Sequence, residues 1–203
     1  MLDQKMKKQL DKLKPEIKNW LKDNVTEKRY KHIIGVAKTA RKYAKKLKLD
    51  YFKAELSGLL HDCAKELTNP ELLRIAKRKK IKLDKIDFQN PHILHARVGA
   101  MIAKEKFRIK DKDVLAGIRC HTLAEPDMTK LAMVVYLADS TEPGRNKEKS
   151  TAIRKTLKNE GLERAVLHAI DEKLVDVIKK ERLVHPYTIN ARNWLIENIR
   201  LKR

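Results

Sequence analysis

Apolar residues recur along this chain at spacings of three and four, the period of a helix that buries one face. Leu2, Met6, Leu10 and Leu13 begin the pattern, and Ile17, Trp20 and Leu21 continue it past Pro15. A break or kink is predicted at Pro15, because proline removes a backbone donor and crowds the preceding turn. Thr26 is placed to cap a second helix, in which Tyr30, Ile33, Ile34, Ala37, Ala40, Ala44 and Leu47 form one stripe with His32 at its edge. Asp50 is placed to cap a third, expected to run through His61 and Asp62 to about Glu66. Phe52, Leu56, Leu59, Leu60 and Cys63 fall on one face of it. Ala54, Ser57, Gly58 and His61 fall on another, where the small residues would let a second helix approach closely.

Further on, Asn69 reads as an N-cap with Pro70 at the first helical position, opening a short helix over 69–76. The basic stretch 77–92 reads as an irregular connection. Helical spacing returns over 93–107 and 111–121, Glu125-Pro126-Asp127 marks a turn, and Thr129 starts a helix over 129–139 that stops before Pro143-Gly144. Three more helices are predicted over 147–158, 161–183 and 188–201, the last capped by Thr188. No stretch alternates as a strand would, and no repeat is present. The expected fold is all-α: a single helical bundle with a helical extension over 1–25, a core over 26–146, and C-terminal helices over 147–203 belonging to the same domain.

Composition narrows this picture. A length of 203 residues suits one domain with a substantial core, and six Gly and six Pro are few enough to favour helices. The net charge of +21 invites an anionic partner, yet the lysines are spread over nearly every segment, and a solvated helix exterior needs none. Nucleic acid is therefore not required by the charge, although the field would still draw in a polyphosphate. Cys63 and Cys120 sit in apolar stretches beside histidines and form no disulfide framework, which fits a reducing compartment. With no apolar run of the ~18 residues that spans a bilayer, a cytoplasmic protein with no membrane contact is expected.

Against so basic a background, segments free of Lys and Arg stand out. LSGLLHDCA (56–64) and LAMVVYLADS (131–140) are two such islands, and each carries an aspartate. A carboxylate buried in an apolar helix must be paired or bind a metal, so Asp62 and Asp139 need a cation, either an ion or a distant arginine. His61 adjoins Asp62, while His32, His95 and His121 lie in or beside other helices. Any one of them alone is more often just a satisfied core residue. Taken together, neutral imidazoles and carboxylates suit a transition metal better than Ca or Mg. Neighbours on a helix point about 100° apart, so His61 and Asp62 address one centre only with ligands from other helices, an arrangement open to two ions bridged by Asp62.

The run RYKHIIGVAKTARKYAKKLKLDYFKAELSGLLHDCAKEL (29–67), followed in order by LHARVGA (94–100), IRCHT (118–122) and LADSTEPGR (137–145), resembles the HD metal-dependent phosphohydrolase superfamily, and within it the YqeK-type symmetrical bis(5'-nucleosyl)-tetraphosphatases. The resemblance implies two divalent transition-metal ions, commonly iron with manganese or cobalt as alternatives. It also implies a homodimer and a metal-activated water that cleaves diadenosine tetraphosphate into two ADP. By matched position, His32, His61, Asp62 and Asp139 would form the core set, with His95 and His121 completing a second metal site and His92 the alternate to His95. Asp62 would also be catalytic, and Lys65 and Arg145 would neutralise phosphate oxygens, with Arg29 and Lys31 as further candidates. The chain departs from the pattern after His121. HTLAEPDM stands where the family continues HT with a small polar residue, a glycine and a basic residue, and Ser140 stands where a tyrosine often follows. These changes bear on the nucleotide, so a different nucleotide substrate is one alternative. A basic RNA- or ribosome-associated module on the same scaffold is another.

Overall fold

The computed structural model describes residues 4–201, with side chains from Lys12 onward. Leu2 of the first expected apolar face lies outside the described residues, as do the side chains of Met6 and Leu10. Every regular element among the described residues is helical, and none of these helices is long and apolar enough to cross a membrane.

Two antiparallel-neighbour helices, α2 (Glu27–Lys46) and α3 (Tyr51–Leu60), make the most extensive contact in the fold. Their starts follow from local chemistry. Thr26 Oγ1 accepts the Arg29 N–H at 3.3 Å, and Asp50 Oδ1 accepts from Phe52 at 3.0 Å and Lys53 at 3.1 Å, using donors that a helix start leaves free. The small-residue face of α3 meets α2 as expected: a Cβ added at Gly58 would lie 2.7 Å from the Ala37 Cα, so the two backbones are almost touching. The predicted continuation of α3 to about Glu66 does not occur. The helix stops at Leu60, and the chain leaves through tight turns closed by Cys63 N–H on the Leu60 carbonyl and Lys65 N–H on that of Asp62.

Helix α1 (Gln4–Asn24) runs unbroken through Pro15, against expectation. Ile17 and Leu21 are fully buried against α3, and the Trp20 ring meets Phe107 edge-on at 5.5 Å. Burying these side chains is worth several times ~1.5–3 kcal/mol, enough to outweigh the ~3 kcal/mol that an interior proline costs. Helix α4 (Asn69–Arg78) begins on Thr68 rather than Asn69. Glu71 lies three residues after Thr68, and its carboxylate accepts from the Thr68 N–H (2.8 Å) and hydroxyl (2.7 Å), a reciprocal cap unavailable to Asn69 because Leu72 would occupy the partner position. Within the stretch read as irregular, Asp84 caps a short helix, α5 (Lys85–Gln89), and a 3-10 turn (Pro91–Leu94) leads into α6 (His95–Lys106).

Helices α7 (Lys112–Cys120) and α8 (Lys130–Thr141) begin on Asp111 and Thr129, whose side chains accept from Val114 and Ala132 N–H. Every residue of α8 from Leu131 to Asp139 is buried, because α2, α3, α7, α9 (Lys147–Glu160) and α10 (Leu162–Lys179) surround it. Helix α11 (Pro186–Leu201) packs on α10. Thr188, expected as its cap, lies inside it. The Thr188 hydroxyl donates to the Leu123 carbonyl at 2.8 Å, and His185 Nδ1 accepts the Tyr187 N–H at 3.1 Å, doing what Thr188 was expected to do.

The close approach at Gly58 yields a stability prediction. Gly58→Ala gains helix propensity of ~1 kcal/mol, but its methyl meets backbone that cannot rotate away, so a net loss of about 1–3 kcal/mol is expected. Urea unfolding reads it as a lowered midpoint. An unchanged or raised midpoint would show that α2 and α3 separate at little cost.

Candidate metal centre

Five elements deliver six side chains to one place. His32 comes from α2, His61 and Asp62 from the turn that ends α3, His95 from the first residue of α6, His121 from the end of α7 and Asp139 from the last turn of α8. The helix ends explain two of these positions. Stopping α3 at Leu60 leaves the Gly58 carbonyl free, and it accepts from His61 Nδ1 at 2.7 Å. Stopping α7 at Cys120 does the same for Ile118, which accepts from His121 Nδ1 at 2.7 Å. His95 Nδ1 donates to the His92 carbonyl at 2.6 Å, and the short stretch before it is anchored by a buried Arg97–Asp87 ion pair. The fourth imidazole, His32, donates from Nδ1 to the Glu142 carboxylate at 3.1 Å.

All four histidines are thus held through Nδ1 as donor, with Nε2 directed inward. The four Nε2 atoms converge in two pairs, His32 with His61 at 3.2 Å and His95 with His121 at 3.1 Å. Two lone pairs facing each other at that distance repel unless a proton or a metal cation stands between them, and a donor set of imidazoles and carboxylates at this spacing fits a divalent transition metal. Asp62 joins the pairs. Its Oδ2 lies 3.5 Å from His61 and 3.7 Å from His32, and its Oδ1 lies 3.3 Å from both His95 and His121. His32, His61 and Asp62 form one group with metal-ligating spacing, and Asp62, His95 and His121 form the other. Asp139 Oδ1 adds to the first group, 3.2 Å from His32 and 3.8 Å from His61.

Electrostatics match this use. Burial alone would raise the pKa of both aspartates, but the imidazoles around Asp62 hold it well below the usual carboxylate range, as His32, Arg145 and Lys173 do for Asp139. Burial lowers His121 and takes His95 down to about 4, keeping both neutral. Burial also works against a proton on His61, but the adjoining Asp62 and Asp139 outweigh it and raise that group. Arginines supply the distant cations as well: Arg29 Nη1 donates to Asp62 Oδ2 at 2.7 Å, and Arg145 pairs with Asp139 and donates from Nε to its carbonyl at 2.6 Å. Lys65 Nζ sits 3.3 Å from His95 Nε2. His92 points its ring at His95, with centroids 5.4 Å apart, and contributes its carbonyl rather than its imidazole to the group. Lys31 is held by Glu27 at 2.6 Å on the rim of a cleft of about 960 Å³ that opens beside His32, Arg29 and Arg145.

Three residues at this centre escaped sequence reasoning. Glu142 is buried, accepts from His32 and from the Gly144 N–H (2.7 Å), and fills the space left by Gly35, where a Cβ would fall 2.6 Å from its Oε2. Thr122 Oγ1 lies 2.9 Å from His95 Nε2 and 3.0 Å from His121 Nε2. Lys173, from α10, reaches to 3.3 Å from the His121 carbonyl and 3.8 Å from Asp139 Oδ2. Glu142 and Thr122 lie within or beside the motif blocks and were legible as neighbours. Lys173 carries no signal among 48 basic residues.

The buried, neutral His95 has a consequence for acid stability. The unfolded chain takes up a proton on this residue below about 6.5, whereas the folded chain does so only near 4. Its contribution to stability is therefore complete above pH 6.5 and is lost as the pH falls from 6.5 toward 4. In chelator-treated protein, His95→Gln is expected to lose about 1–3 kcal/mol less than the wild type over that window. Urea unfolding at several pH values reads the difference, and parallel curves for the two proteins would refute it.

The model of the HD domain family matches residues 29–144, which contain all six convergent side chains. A protein of Bacillus subtilis described as bis(5'-nucleosyl)-tetraphosphatase, symmetrical, is 36% identical over 87% of this chain and 94% of its own length. One of Halalkalibacterium halodurans with the same description is 35% identical over 87% and 93%. Among solved structures, a Clostridium acetobutylicum protein described as a predicted HD superfamily hydrolase involved in NAD metabolism superposes with a TM-score of 0.87 at 38% identity, covering 91% of this chain and 97% of that one. With the family model matched over more than half of the chain and the fold shared along nearly all of it, the protein belongs to the HD domain family of metal-dependent phosphohydrolases.

Proposed function

We propose that the protein is a cytoplasmic enzyme that cleaves dinucleoside tetraphosphates symmetrically, releasing two ADP from diadenosine tetraphosphate. It would use two divalent transition-metal ions, iron in the first place and manganese or cobalt as substitutes. The observation that carries this reading is the division of Asp62, whose two oxygens face two separate histidine pairs. His32, His61, Asp62 and Asp139 would hold one ion, and Asp62, His95 and His121 the other. Bound there, the pair supplies an activated water and a clamp on the phosphoryl oxygens. The substrate itself comes from the description shared by the Bacillus and Halalkalibacterium relatives.

The remaining work falls to the chain's own groups. Glu142, Gly58 and Ile118 hold three imidazoles in the tautomer that aims Nε2 inward. Arg29, Lys65 and Arg145 stand where the anionic phosphates would lie, and guanidinium groups match phosphate oxygens two at a time. Lys28, Lys31 and Lys38 line the cleft leading in and favour a polyphosphate over a neutral ligand. Cys63 and Cys120 do not compete as nucleophiles: burial pushes both thiols up to about 12, so neither supplies thiolate near neutrality. Water is the attacking group this arrangement favours, with no covalent enzyme intermediate.

Anaerobic purification with metal analysis is expected to find close to two transition-metal ions per chain, with ADP released from diadenosine tetraphosphate. Because Asp62 belongs to both ligand groups, Asp62→Asn should lose both ions, whereas His121→Ala should keep about one; both should lose turnover by more than roughly a hundredfold. Two ions retained by Asp62→Asn would overturn the shared-carboxylate assignment. Full metal loading with cleavage of some other nucleotide in a substrate panel would keep the chemistry and replace the substrate. Light scattering tests the homodimer that belongs to the same reading.

A further inference from the structure

A second hollow, of about 280 Å³, lies at the other end of the centre from the cationic cleft. Contacts fix this order. Asp62 Oδ2 faces His32 and Arg29, which line the large cleft. Its Oδ1 faces His95 and His121, whose neighbours His92 and Thr122 line the small hollow. The 3-10 turn, the bend after His121 and the segment joining α10 to α11 form its walls.

The two spaces differ in chemistry. Cations dominate the large cleft, whereas Ile93, Leu123 and Leu183 give the small one apolar walls, with Lys173 at its inner end. Apolar walls with a few convergent polar groups are the usual makeup of a small-molecule site. The volume of about 280 Å³ falls just below the common range of roughly 300–1,000 Å³, which suits one nucleoside and not two. Leu183 is 55% exposed on the rim, an apolar side chain without a cover.

The altered turn after His121 points to the same place. Ala124, in the turn after His121, holds the left-handed backbone, φ 61°, and its methyl is fully buried. Glu125 turns away to Arg119 at 3.0 Å. Of the three changed residues, Leu123 alone faces the hollow, and the Thr188 hydroxyl on its carbonyl pins it there.

We propose that this hollow is a nucleobase site. It takes the ring of one half of the substrate between Leu123 and Leu183, with Lys173 against the adjoining phosphate. The inference rests on the nucleotide phosphohydrolase reading and deepens it by assigning a place to one nucleoside.

Calorimetric titration of metal-loaded protein with ADP and with inorganic pyrophosphate tests it, using wild type, Leu183→Ser and, as a control, Ile178→Ser. Ile178 is 62% exposed near the end of α10, five residues before Leu183, and lies outside the hollow. Both changes are on the surface, and unchanged melting curves will verify folding. Leu183→Ser is expected to weaken ADP about fivefold or more relative to pyrophosphate, with Ile178→Ser leaving that ratio at the wild-type value. If the wild type fails to bind ADP, binds it no better than pyrophosphate, or keeps its ratio in Leu183→Ser, the base does not sit here, even in an enzyme that cleaves diadenosine tetraphosphate. A lost ratio in a protein that cleaves no dinucleotide would uphold the site and discard the substrate proposed above.

Discussion

Two carboxylates buried among imidazoles constrain everything else in this fold. Removing Asp62 and Asp139 from water is costly unless positive charge meets them, and their surroundings provide it from several directions: four histidines, Arg29, Arg145 and Lys173. Apart from His61, which adjoins Asp62, none of these partners lies within the apolar island that carries its aspartate. The carboxylates are satisfied only when α2, α3, α6, α7, α8 and α10 are all in place, so the chemistry of the centre and the cooperativity of the bundle are one requirement.

The way the helices end serves that requirement. An α-helix leaves its last carbonyls unpaired, and here those of Gly58 and Ile118 are used to orient the imidazoles that immediately follow. A helix running on to Glu66 would have claimed the Gly58 carbonyl and rotated Asp62 away from His95 and His121. Close packing plays the complementary part. Gly58 lets α2 come near enough for His32 to reach His61, and Gly35 makes room for the carboxylate that holds His32. Lys173 shows how the C-terminal helices join in, since its ammonium, which burial lowers to about 8, is carried to the centre from α10.

Much of this was legible in the sequence because it is local. Caps at Thr26, Asp50 and Thr129 need only a side chain two or three residues from a free N–H, and the apolar spacing of α2 and α8 is a property of each helix alone. The same local logic, read one residue off, misplaced the start of α4, because the carboxylate that completes its cap is Glu71. Pro15 failed as a breaker for the opposite reason: the gain that keeps α1 continuous comes from Ile17 and Leu21 packing on α3, which no local rule contains.

The sequence by itself determined an all-helical chain and singled out two aspartates in islands free of basic residues, while the four histidines that join them were assigned by the resemblance of ordered motif blocks. Tertiary structure alone decided how they meet. Which Asp62 oxygen faces which histidine pair, that Glu142 and Thr122 complete the surroundings, and that Lys173 arrives from far along the chain depend on crossings between helices distant in sequence. Spacing within a segment fixes the face on which a side chain lies. What that face meets is set by packing the whole bundle.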